Sequence, residues 1–108
     1  MKSIIGRADF KGFDDTFILE NKILKASLSS AKSGITMDIF TNQPGIVIYT
    51  RPQFPDLKFN KGVTYSKFPA ICFETQNFPD TLNHTNFPTA LLNPGETYLN
   101  KTVFKFNS

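Results

Sequence analysis

The sequence predicts an all-β domain, and three observations carry that prediction. Ile35-Thr36-Met37-Asp38-Ile39-Phe40 and Thr102-Val103-Phe104-Lys105-Phe106 alternate apolar with polar side chains, the period of two that a half-buried strand requires. Ile46-Val47-Ile48-Tyr49-Thr50 and Ala70-Ile71-Cys72-Phe73-Glu74 are continuous β-branched and aromatic runs, the pattern of strands buried on both faces. No window of a dozen residues shows a 3.6-residue apolar period, so nothing competes as a helix. The simplest architecture is an antiparallel sandwich.

Taken in chain order, Thr16 to Leu19 and Leu24 to Ser29 are the weaker strand candidates. In the first strong strand Ile35, Met37 and Ile39 share one face, and in the last Phe104 and Phe106 point the same way. Turn formers separate the runs: Lys32-Ser33-Gly34, Asn42-Gln43-Pro44-Gly45, Asn60-Lys61-Gly62 and Asn93-Pro94-Gly95-Glu96. Proline fixes φ and glycine frees it where the chain reverses. Two stretches, Arg51 to Phe68 and Phe78 to Asn93, are too long for hairpin turns. Loops of that length are functional or are structured by a larger body.

Composition narrows the function classes. A chain of 108 residues holds one domain, residues 1–108. With 40% hydrophobic residues, 19% charged and 12 Phe, it is not a disordered chain. The net charge of +3 comes from lysines scattered singly, not from a basic stripe, which argues against nucleic acid. Lys58, Lys61 and Lys67, interleaved with Phe59, Tyr65 and Phe68, read as a solvated loop with snorkelling lysines rather than a base-stacking platform. Cys72 is the single cysteine, which excludes an intramolecular disulfide and a cysteine zinc site. No apolar run approaches the length of a membrane span and no signal pattern opens the chain, so the expectation is a cytoplasmic protein without a membrane partner. Asn83-His84-Thr85 and Asn100-Lys101-Thr102 fit the glycosylation pattern by chance in a chain rich in Asn and Thr.

Among candidate chemical groups Glu74 stands out. Alternation places it on the face of Cys72 and opposite Phe73. A carboxylate ending an apolar strand is either a solvated strand end, which the pattern alone favours, or a partly desolvated general base. Asp14 and Asp15 follow Gly12-Phe13 and read as turn residues; with Asp9 they miss the alternating ligand spacing of a calcium loop. His84, the only histidine, lies in a loop and reads as a structural imidazole bonded to loop backbone. Cys72 reads as an inert, buried mid-strand thiol. Asn60-Lys61-Gly62 is a turn, not a phosphate loop.

Taken together, several motifs resemble one family. The run Ala70-Ile71-Cys72-Phe73-Glu74-Thr75-Gln76-Asn77-Phe78-Pro79-Asp80, then Asn83-His84-Thr85-Asn86-Phe87-Pro88, then Leu92-Asn93-Pro94-Gly95-Glu96-Thr97-Tyr98, resembles the C-terminal signature of aldose 1-epimerases (galactose mutarotases). Upstream, Gly12-Phe13-Asp14 and the stretch from Gln43-Pro44-Gly45 to Tyr49-Thr50 are similar to further elements of that family, in the same order. The resemblance implies part of a large antiparallel β-sandwich and a reaction that interconverts α and β anomers of an aldohexose without metal or cofactor. It implies Glu74 as the catalytic base and Asp14 as a substrate-binding residue on the sugar hydroxyls, with a monosaccharide of the galactose or glucose class as partner.

Two departures accompany it. Val47 stands where the family pattern has a glutamine that contacts the sugar, and Val47 can neither donate nor accept a hydrogen bond. Arg51-Pro52 stands where a Gly-Asn pair is common. The family's acid histidine, its second sugar-binding histidine and its sugar-binding arginine belong to the part of the fold that precedes this region, and His84 matches neither histidine. The sequence therefore resembles the C-terminal third of a mutarotase, carrying the base without the acid. Alternative outcomes are a non-catalytic carbohydrate-binding module or a truncated remnant. A relative acting on sugar phosphates would need a clustered cationic site, which Arg7 and Arg51 do not supply. A third of a sandwich is expected to expose strand edges and apolar faces, and so to self-associate or to need the missing N-terminal portion.

Overall fold

In the computed structural model the described residues are 9–53, 65 and 67–108, and they form strands with one short 3-10 turn. The strands are β1 (Asp14–Ile18), β2 (Ala26–Ser29), β3 (Thr36–Thr41), β4 (Gly45–Thr50), β5 (Ile71–Gln76) and β6 (Thr102–Asn107); the turn is Thr81–Asn83. Both weaker strand candidates are thus real strands. The expected all-β class is what the chain adopts.

The strands pair into two antiparallel sheets, ordered β1-β4-β5 and β2-β3-β6. Register fixes which side chains share a face. In the first sheet Thr16, Val47 and Glu74 form one cross-strand row, and Asp14, Tyr49 and Cys72 the next. Their neighbours Phe17, Ile46 and Thr75 form a row on the opposite face. In the second sheet Ala26, Ile39 and Phe104 align, as do Leu28, Met37 and Phe106. The alternation in β3 and β6 therefore builds a single apolar face from three strands.

The apolar faces meet where β3 runs into β4. Among the described residues Ile39 and Ile46 are the fully buried apolar ones, one from each sheet. Thr102 on β6 shares hydroxyl hydrogen bonds with Thr41 on β3 and Thr75 on β5, and so ties one sheet to the other. Away from that junction the faces part around a cleft of about 620 Å³, lined by Phe17, Ile46 and Ile48 from one sheet and Ala26 from the other. Phe104 and Phe106 remain 43% and 66% exposed.

Three expectations change. β5 was expected to be buried on both faces, but Cys72 and Glu74 are exposed while Ile71 and Phe73 are half-buried. The reason is its place at the sheet edge, with one face open. Asp14 and Asp15 open β1 instead of making a turn, because Gly12 makes the turn at φ +107°. Ile35 precedes β3 and is exposed, leaving Met37 and Ile39 to carry the apolar face. The Lys58, Lys61 and Phe59 part of the basic cluster lies outside the described residues, as does Arg7.

Candidate active site

Asp14 and Glu74 lie on the same face of one sheet. Asp14 pairs with Tyr49, Glu74 pairs with Val47, and β4 runs between them. Two interstrand spacings and two residues of rise put their Cα atoms about 12 Å apart. Thr16, Val47, Tyr49, Cys72 and Gln76 share that face. It presents carboxylates at opposite corners of a mixed floor, with the Val47 side chain near its centre.

Local packing holds Asp14 in place. The Phe13 N–H donates to Thr50 Oγ1 at 2.7 Å, and the Thr50 N–H donates to the Phe13 carbonyl at 2.9 Å. A Cβ on Gly12 would stand 2.7 Å from Thr50 Oγ1 and 3.1 Å from the Phe68 ring, so only glycine fits there. Phe10 packs edge-on against Phe13 and at a tilt against Phe68, with centroids 5.1 and 5.0 Å apart. Phe68 itself sits at φ +56° and donates its N–H to the Pro52 carbonyl. These contacts fix where β1 begins, and with it the position of Asp14.

The other end of the face is closed by aromatic side chains. A Cβ on Gly45 would meet the Phe78 ring at 2.9 Å, and a Gly45 Cβ would point to the face of Val47 and Glu74. Phe78 packs edge-on against Phe87 at 5.0 Å, and His84 lies 4.7 Å from Phe87. His84 Nε2 is 3.5 Å from Asp80 Oδ2. The imidazole is thus held by a carboxylate and a ring, where a bond to loop backbone was expected.

Glu74 lies within β5, which continues through Thr75 to Gln76, so it does not end the strand; it is exposed, as the solvated reading that the pattern alone favours requires. Cys72 is exposed on the same face, not a buried thiol. The sequence reading missed Thr16, Tyr49 and Gln76. Alternation from Glu74 reaches Gln76, but Thr16 and Tyr49 required the strand register.

Sequence comparison relates the chain to known proteins. The sequence profile described as aldose 1-epimerase matches residues 2–105. The chain belongs to the aldose 1-epimerase family. It is 46% identical over 101 residues to galactose mutarotase from Mus musculus, covering 89% of this chain and 29% of that protein. Identity to the Homo sapiens galactose mutarotase is 43% over the same length and coverage. The aldose 1-epimerase of Streptococcus thermophilus is 32% identical over 106 residues, covering 90% of this chain and 30% of that protein. The chain spans less than a third of the length of these family members.

Proposed function

We propose that this chain contributes the base-bearing part of an aldose 1-epimerase site. The observation that carries the proposal is the placement of Asp14 and Glu74 on one sheet face, separated by β4. The gap between them suits one pyranose ring, with Asp14 accepting hydrogen bonds from its hydroxyls. Glu74 removes the anomeric hydroxyl proton as an acid protonates the ring oxygen. The bond between the anomeric carbon and that oxygen breaks, giving an open-chain aldehyde. Rotation about the adjacent carbon–carbon bond and reclosure give the other anomer, and the protons return. No net oxidation occurs and no cofactor enters the scheme.

The acid comes from the remaining length of a mutarotase fold. His84 is engaged by Asp80 and Phe87 in the 77–100 loop and does not serve in the scheme. Alone, the chain is a weak catalyst, since each member of an acid/base pair supplies about 10²–10⁴-fold in rate. Polarimetry on freshly dissolved α-galactose and α-glucose tests this. The expected result is little activity from the chain alone and recovery when the N-terminal portion of a family member is supplied, abolished again by Glu74→Gln. Full activity from the isolated chain overturns the missing acid; recovered activity that survives Glu74→Gln overturns the base. Calorimetric binding of either sugar without turnover would instead mark a carbohydrate-binding module.

A further inference from the structure

A second pocket lies on the β2-β3-β6 sheet, which does not carry Glu74. It has a volume of about 380 Å³ and is lined by Lys22, Lys25 and Lys101, by Phe40 and Val103 as an apolar floor, and by the largely exposed Ile23. Phe40 and Val103 are cross-strand partners on the outer face of β3 and β6, the face turned away from the other sheet. Lys22 and Lys25, three residues apart, line this pocket together with the sequence-remote Lys101, and no carboxylate lines it among the described residues.

The pocket rests on organised loops. The Lys25 ammonium donates to the Glu20 carbonyl at 2.8 Å, and the Lys22 N–H donates to the same carbonyl at 2.7 Å. The Glu20 carboxylate pairs with the Lys22 ammonium, which holds Glu20 below the usual carboxylate range and Lys22 above its own. Across the pocket Asn42 fixes the backbone of Lys101. Its Oδ1 accepts the Lys101 N–H at 3.0 Å and its Nδ2 donates to the Leu99 carbonyl at 2.8 Å. Even with Glu20 counted, the ammonium groups outnumber the carboxylate three to one.

We propose that this pocket binds a phosphate monoester: the lysines take the phosphate oxygens and the Phe40–Val103 floor takes a compact organic body. A lysine ammonium recognises phosphate as a point charge, and several converging on one cavity suit a dianion better than a single carboxylate. The volume is that of a small-molecule site and is too small for a folded partner. This site is independent of the epimerase reading, because it shares no residue with the Asp14–Glu74 face.

Titration of the chain with inorganic phosphate, phenyl phosphate and glucose 6-phosphate at low salt, followed by phosphorus and amide NMR, tests it. The expected result is saturable shifts at Lys22, Lys25, Phe40 and Lys101, with the organic esters binding more tightly than inorganic phosphate. Lys25→Gln with Lys101→Gln should weaken binding about threefold to tenfold, while Lys32→Gln leaves it unchanged. Equal binding of inorganic phosphate and the esters overturns the role of the apolar floor. Shifts that never saturate, or that persist in the double variant while its amide spectrum stays folded, overturn the site. An untagged chain that binds glucose as well as glucose 6-phosphate there overturns the phosphate requirement.

Discussion

The segment from Ile39 to Thr50 differs from the rest of the described chain. Ile39, Gln43, Gly45, Ile46 and Thr50 are buried, and no described residue outside that segment is. The outer strands β1 and β2 are exposed along nearly their whole length, and β6 keeps its phenylalanines open. Both sheets therefore hang on the β3–β4 crossover. The difference teaches where support for the candidate site comes from: β4 presents Val47 and Tyr49 outward to that face because Ile46 and Thr50 are anchored beneath it.

The largest effect is expected where that contrast is sharpest. Ile46→Ala or Ile39→Ala should cost about 2–5 kcal/mol and unfold much of the chain, read by urea titration of the circular dichroism signal. Phe106→Ala, on an open face, should change the midpoint little. If the two classes cost the same, the burial is more even than these packing contacts indicate.

Gly12→Ala comes next. It forces a positive φ on a Cβ that also meets Thr50, and should cost about 1–3 kcal/mol. Its comparison is Gly34→Ala, where φ is +75° but nothing lies within 4 Å, at about 1 kcal/mol. Equal costs would mean that the Thr50–Phe13 lock does not hold β1.

A third test concerns the open faces. Sedimentation over a range of concentrations should show self-association of the isolated chain, suppressed when the N-terminal portion of a family member is added. A concentration-independent monomer with a cooperative unfolding transition would show that the β3–β4 junction suffices alone.

The smallest effect is at the Asn93–Glu96 turn. Glu96 accepts the Asn93 backbone N–H at 2.8 Å and its side-chain amide at 3.1 Å, and these bonds hold its carboxyl below the usual 4.5. A lowered folded-state value means the bonds stabilise the turn above the carboxylate range and are lost as pH falls through the shifted value. Amide shifts of Asn93 followed on acidification should move with the Glu96 carboxyl. Glu96→Gln should flatten that response.

Much of the fold was legible in sequence because the period of two in β3 and β6 and the β-branched run of β4 act locally. β1 and β2 were legible only weakly, since their side chains are almost all exposed and carry little alternation. The candidate site was legible through Gly12-Phe13-Asp14 and the Glu74 run, yet its shape was not. The exposure of Glu74 and Cys72 follows from β5 lying at an edge, and no property of Ala70-Ile71-Cys72-Phe73-Glu74 distinguishes an edge from a centre. The basic residues show the same limit. Lys101 is remote from Lys22 and Lys25 in sequence, and the three line one pocket only because β6 pairs with β3.

By itself, then, the sequence determined the strand class, most strand positions, the turns at 32–34, 42–45 and 93–96 and the family, because these depend on side-chain alternation and on motifs contiguous along the chain. Tertiary structure alone decided the strand order, the shared face of Asp14 and Glu74, the lysine pocket and the unfilled cleft between the sheets. Each of those depends on pairing between segments tens of residues apart, and pairing is settled by register and burial acting together.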